Sequence, residues 1–250
     1  MFNAERIKEL TQLTDVLVLE EVDSTNTFLK NNLKDRKEGA LVIAKRQTNG
    51  RGRLNRTFVS EKNGLYMSLL LKPDNDDLTK ITAMAAVAVL RAVKKFTKKD
   101  AKIKWVNDIY VNHLKVAGIL TEAVFFGNKL EYLVLGIGVN LVKPENDLDE
   151  SIKNIAGYLF EQDTGIANEF VSEIINQFYN VYKNGNFIGE YRENSYLTGK
   201  TVTYLKDEKM YIAKVIDIND DCALVVSKDG VITTLISGEV SIKGFWNIPD

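Results

Sequence analysis

At 250 residues, 45% apolar and 27% charged, the chain is long enough to bury a substantial core, with one large domain and a small one as the expected division. A formal net charge of -1 excludes the broad basic face of a general DNA binder, and no run reaches the ~18 uninterrupted apolar residues of a membrane span. One cysteine, Cys222, rules out an internal disulfide, and with one histidine, His113, a Cys/His zinc site is excluded.

In chain order, Ile7, Leu10 and Leu13 recur at helical spacing behind Asn3, a cap residue, and Val16-Leu17-Val18-Leu19 reads as a strand. This lead-in is too short for a helix-turn-helix module, and it lacks the basic and apolar stretches of a signal peptide, so a cytoplasmic protein that does not read DNA is expected. Asp23-Ser24-Thr25-Asn26 then stands before a helix carrying Phe28, Leu29 and Leu33, where any helix would place such residues as an N-cap. Ala40-Leu41-Val42-Ile43-Ala44 and Leu65 to Leu71 are apolar runs of buried-strand character.

Between those two strands lie residues 47–64, aperiodic and of a length that marks a functional or disordered loop. From Lys45 to Arg56 the chain holds five cations, Lys45, Arg46, Arg51, Arg53 and Arg56, and no acid. Gly50 and Gly52 alternate with Arg51 and Arg53, which lets the backbone come close to a ligand, or take positive φ, while the guanidinium forks face carboxylate or phosphate oxygens. A charge run alone is more often a solvated loop; here the glycine spacing favours an anion site.

A helix of core character spans about Thr79 to Phe96. Ile103 to Tyr110 reads as a strand ending in the polar pair Asn107-Asp108, and Val111 to Leu114 as a turn in which His113 is exposed and idle. Lys115 opens a buried strand that runs to Val124 and carries Gly118. Phe126-Gly127-Asn128-Lys129 is a hairpin turn into a strand ending Gly136-Ile137-Gly138-Val139-Asn140, which lacks the third glycine and the following helix of a dinucleotide fingerprint. Ser151 to about Tyr196 reads as helical cover for the sheet, with Ile152, Ile155, Ala156 and Leu159 at its start. After Gly199 the period changes to short strands, Thr201–Leu205, Met210–Ile218, Ala223–Val226, Ile232–Leu235 and Val240–Ile242, with turns at Asp207-Glu208, Asn219-Asp220-Asp221 and Lys228-Asp229-Gly230. Cys222, at a strand start, is structural.

Gly50-Arg51-Gly52-Arg53-x-x-Arg56 resembles the adenylate-binding loop of biotin protein ligases, and Asp23-Ser24-Thr25-Asn26, Lys104-Trp105-Val106-Asn107-Asp108, Lys115-Val116-Ala117-Gly118 and Gly136-Ile137-Gly138-Val139-Asn140 resemble further elements of that family, in its order. The resemblance implies an α+β fold: a mixed sheet flanked by helices, as in class II synthetases, over 1–196, and an SH3-like β-barrel over 197–250. It implies ATP-dependent activation of biotin to biotinyl-5′-AMP with Mg²⁺, then transfer to a lysine of a biotin carboxyl carrier protein, the biotin domain of acetyl-CoA or pyruvate carboxylase. Ser24, Thr25, Asn26, Gln47, Gly50, Arg51, Tyr66, Lys115 and Gly118 would bind biotin. Arg51, Arg53, Arg56, Trp105, Asn107, Asp108, Gly138 and Asn140 would bind the adenylate, with Asp108 a metal ligand and Lys115, Arg51 and Arg53 catalytic. Val106 stands where the family has proline, which frees φ and restores an N–H. The alternatives are a lipoate-protein ligase and a non-catalytic biotin-adenylate binder. Sheet edges leave a homodimer open.

Overall fold

The computed structural model describes residues 2–72, 77–145, 152–206, 209–236, 238 and 240–242, the side chain of Asn55 excepted. Its first sheet grows from β1 (Val16–Val22) and β2 (Leu41–Gln47), which pair in parallel and are joined by α2 (Thr25–Asn31), with α1 (Ala4–Thr11) ahead of them. Antiparallel pairing then adds β3 (Leu65–Leu71), β7 (Lys129–Val139), β6 (Leu114–Phe126), β5 (Asp108–Val111) and β4 (Ala101–Lys104), in the order β1-β2-β3-β7-β6-β5-β4. β3 is buried along all seven residues, as its unbroken apolar run requires of a central strand covered on both faces. Period-two alternation divides the burial: Val42, Leu70 and Val134 meet Leu29 of α2 on one face, while Leu41, Ile43, Leu69 and Leu135 meet α3 (Leu78–Thr97) and α4 (Ala167–Asn184) on the other.

The second sheet is antiparallel, built from β8 (Thr201–Lys206), β9 (Lys209–Ile218), β10 (Leu224–Lys228), β11 (Val231–Leu235) and β12 (Val240–Ile242), with β12 returning to pair with β8. The turn at Lys228-Asp229-Gly230 has positive φ at Asp229 and Gly230, as a two-residue hairpin demands. The expected turn at residues 207–208 lies outside the described residues. Val202, Ala213, Val215, Cys222 and Leu224 join the same core cluster as the first sheet. The two sheets are further tied by Trp105 Nε1 donating to the Cys222 carbonyl at 2.8 Å and by Arg192 Nη2, 2.8 Å from Asp220 Oδ1.

Three expectations are corrected. Ile103 to Tyr110 is not one strand: β4 ends at Lys104, residues 105–107 form a hairpin turn that contains Asn107, and Asp108 opens β5; the Trp105–Val106 peptide is cis. Residues 152–166 form no helix, although Ile152, Ile155, Ala156 and Leu159 keep helical spacing; isolated bridges Lys115↔Ala156 and Val142↔Phe160 draw this segment along β6 and the end of β7 instead. Helix begins at Ala167 and resumes in α5 (Ile188–Glu193). Ser151 lies outside the described residues. Finally, Cys222 is not at a strand start but in a turn with φ 60 ahead of β10, and its carbonyl accepts from the Trp105 indole. No helix among the described residues is long and apolar enough to cross a membrane.

The turn 105–107 hangs on buried partners. Tyr191, fully buried, donates its hydroxyl to the Val106 carbonyl at 2.9 Å. Tyr191→Phe should therefore lower unfolding free energy by about 1–3 kcal/mol through the orphaned carbonyl, read by urea denaturation; an unchanged midpoint contradicts the anchor. Burial pushes the Cys222 thiol up to about 12, so it is neutral at pH 8. An aromatic disulfide reagent should label it only at the rate of unfolding, and fast labelling of folded protein contradicts its burial.

Candidate functional site

The carboxyl ends of β1 and β2, where the parallel pair gives way to antiparallel strands, open onto a cleft. At one end Ser24, the α2 N-cap, accepts from the Thr27 N–H, and Ser24, Thr25 and Asn26 are each only 3% exposed. Gln47, from the end of β2, faces them: its Oε1 accepts from the Thr25 N–H at 2.9 Å, and its Nε2 donates to Ser60 Oγ at 3.0 Å. The N-cap function and the polar wall are thus the same residues.

The 47–64 loop folds back on itself. Phe58 N–H donates to the Gly50 carbonyl at 2.9 Å, and Arg51 bridges Thr57. Gly50 is required by packing rather than by positive φ, since a Cβ there would strike the Phe58 carbonyl and Ser60 Oγ; the positive φ of this loop falls on Leu54. Of the five cations from Lys45 to Arg56, two are turned elsewhere. Lys45 Nζ lies 2.6 Å from Glu20 Oε1 and Arg46 Nη1 2.5 Å from Glu21 Oε2, both acids on the adjacent β1. Arg51, Arg53 and Arg56 line the cleft.

Lys115 and Lys104 add two more cations, and Asp108 is the one acid among the described lining residues. Lys115 Nζ lies 2.8 Å from Asp108 Oδ1 and 5.5 Å from the Phe58 ring centre. The floor beneath is bare backbone: a Cβ at Gly138 would come within 2.7 Å of the Phe58 ring, and one at Gly118 within 3.1 Å of Lys115 Nζ. Glycine in these strand interiors is a close-approach requirement. Asn107 lies nearby, but its Nδ2 donates to the Ile119 carbonyl at 2.9 Å and so fastens the turn to β6. Trp105 lines the cleft with its indole N–H already spent on Cys222. Tyr66, whose phenol burial pushes well up, donates to the Glu61 carbonyl at 2.8 Å and packs edge-on to Phe58.

A second chamber shares Arg56, Phe58, Tyr66 and Lys115 with the first; Glu61 and Asn63 also line it, and its apolar wall is Val142, Pro144, Ile152, Ile155 and Ala156. Asn140 belongs to it rather than to the first, with its Nδ2 donating to the Lys115 carbonyl at 3.3 Å. Sequence reasoning missed this wall. Ile155, placed by its spacing on a covering helix, is 55% exposed in the folded chain. Asp108 offers one carboxylate, and no group of three or more His, Cys, Asp or Glu side chains gathers among the described residues. Magnesium fits such a site only in its usual water-rich form, held mainly by substrate phosphates. His113, expected to be idle, has its Nδ1 2.9 Å from the Tyr196 hydroxyl, away from the cleft.

Residues 18–140 match the model of the biotin/lipoate A/B protein ligase family. The bifunctional ligase/repressor BirA of Bacillus subtilis is 39% identical over 142 residues, 56% of this chain and 43% of that protein, so the chain spans less than half the length of this relative. The Escherichia coli BirA is 25% identical over 255 residues, covering 97% of this chain and 78% of that protein. The biotin protein ligase of Aquifex aeolicus, solved in complex with biotin and ATP, superposes with a TM-score of 0.80 at 27% identity, over 92% of this chain and 99% of that one. By its matching segment, its fold and these relatives, the chain is similar to the biotin protein ligases of the biotin/lipoate A/B protein ligase family.

Proposed function

We propose that the chain is a biotin protein ligase, with residues 1–196 the catalytic unit and 197–250 a separate small domain packed on it. The observation that carries this is the junction of the two chambers. A polar-ended cleft and an apolar-walled one meet at Lys115, with Arg51, Arg53 and Arg56 on the same rim. An acid with a hydrogen-bonding head fits the first chamber, its carboxylate toward Lys115, and a nucleotide's base fits the second beside Asn140.

In the first step a biotin carboxylate oxygen attacks the α-phosphorus of ATP, the bond to the β-phosphate oxygen breaks, and pyrophosphate leaves. Two anions must meet, and at ~4 Å a pair of unit charges repels by roughly 4 kcal/mol at an effective dielectric of about 20. Lys115 and the loop arginines offset that cost without reorganising. In this reading Ser24, Thr25, Asn26, Gln47 and Gly50 hold the biotin head, Tyr66 and Gly118 the body of the ligand, and Trp105, Asn107 and Gly138 the phosphate end. Magnesium, held by Asp108 and the triphosphate, supplies further charge neutralisation when bound. In the second step a carrier lysine amine attacks the acyl carbon, AMP leaves, and the amine loses its proton. The cleft lining contains no cysteine, so acyl transfer through a thiol, as octanoyl transfer within this fold often uses, finds no nucleophile there.

Incubation with labelled biotin, ATP, magnesium and a carboxylase biotin domain should label the carrier, with lipoate and octanoate unable to replace biotin; labelling by lipoate alone would reverse the assignment. Lys115→Ala should slow adenylate formation about 10²–10³-fold. Because it leaves Asp108 unpaired, the double variant Lys115→Ala/Asp108→Asn should restore stability yet stay slow, and wild-type rate in either would refute the role. Arg53→Gly should let activated biotin escape to bystander amines, seen as label on an unrelated protein. A trypsin cut within 47–64 should be protected by biotin plus ATP; equal cutting with and without them contradicts closure of the loop over the adenylate.

A further inference from the structure

A chain of hydrogen bonds leads from the surface to the closed end of the cleft, and the proposed chemistry leaves its outer members without a task. Lys30 Nζ lies 2.6 Å from Glu122 Oε1. Glu122 Oε2 accepts from Asn26 Nδ2 at 2.7 Å, and the same amide nitrogen donates to the Leu120 carbonyl at 3.3 Å. Asn26 Oδ1 accepts from the Ser68 hydroxyl at 2.5 Å, and Ser68 Oγ lies 2.7 Å from Thr25 Oγ1. Thr25 Oγ1 is in turn 3.2 Å from Gln47 Oε1. Asn26 lies so close over Gly136 that a Cβ there would strike its amide.

The chain has a direction imposed by donor and acceptor inventory. An ammonium only donates and a carboxylate only accepts. Glu122, faced by Lys30, therefore turns the Asn26 NH₂ toward itself, and both amide hydrogens are used, on Glu122 and on the Leu120 carbonyl. The Asn26 oxygen then faces Ser68, which has one proton and gives it here, so the Ser68 oxygen can only accept from Thr25. From the other side the Thr25 backbone N–H, a donor, holds the Gln47 oxygen toward Thr25. The Thr25 hydroxyl meets two acceptors, gives its single proton to one of them, and has only lone pairs left for the cleft.

We propose that Lys30 and Glu122 are a positioning pair that sets the polarity of this network, so that Thr25 presents an acceptor and the closed end of the cleft selects ligand heads bearing an N–H. This rests on the biotin reading, in which that head is a cyclic urea. Neither Glu122 nor Lys30 lines the cleft, and both act through Asn26, Ser68 and Thr25.

Glu122→Gln keeps shape but adds a donor, releasing the Asn26 amide to flip. The variant should raise KM for biotin about tenfold or more and keep kcat within about twofold. Its preference for biotin over biotin methylated on a ring nitrogen should fall by a similar factor. Lys30→Arg should behave as wild type, and Lys30→Met as a weaker Glu122→Gln. An unchanged KM, or a raised KM with full discrimination against the methylated ligand, overturns the proposal. If Glu122→Gln fails to fold, Lys30→Met, at a partly exposed position, decides by the same two readouts. Wild-type protein that neither binds nor activates biotin sinks the ligase reading itself, a result distinct from a biotin-active enzyme indifferent to Glu122.

Discussion

Five cations converge on one cleft against a single carboxylate among its described lining residues, in a chain whose formal net charge is -1. Such a concentration of like charge repels itself, and it persists because the fold holds its members in place. Lys115 leans on Asp108 and over the Phe58 ring. Arg51 and Arg53 sit on a loop whose two arms are stitched by Phe58 to Gly50 and by Arg56 to Arg53 backbone bonds. An anionic ligand completes a field that the fold has already assembled, which is the condition for preorganised electrostatic catalysis.

Fold and field are linked through glycine and through buried polar anchors. The bare backbone at Gly118 and Gly138 brings Phe58 and Lys115 flush with the sheet, so the two chambers meet at one ammonium group. The hairpin carrying Asn107 and Asp108 is held from below by Tyr191 and sideways by Trp105 reaching Cys222 in the second sheet. Residues 238, 240 and 241 also line the cleft. The C-terminal strands therefore act on the site directly and through the turn they brace.

Much of this was legible from residue patterns. Alternating or unbroken apolar runs located β2, β3, β6 and β7 closely, the hairpin at Gly127-Asn128 came from turn chemistry, and the strands after Gly199 fell within a residue or two of their observed ends. The glycine-arginine spacing pointed to the loop that does line the cleft. What failed were features decided by tertiary contact. Nothing local distinguishes Lys45 and Arg46 from Arg51 and Arg53; only the parallel neighbour β1, with Glu20 and Glu21, does so. Ile152 to Leu159 keep helical spacing, yet the exposed flank of β6 and the end of β7 capture that segment by bridges, and it becomes a chamber wall. Cys222 is remote in sequence from Trp105 and adjacent in space.

The central claim is that this positive field joins a carboxylic acid to the α-phosphate of a nucleotide. Exchange of labelled pyrophosphate into ATP reports that step without any carrier protein. The account predicts exchange that requires biotin, rises with biotin to saturation and vanishes when biotin is omitted. Exchange indifferent to biotin, or none at saturating biotin, ATP and magnesium, would contradict it.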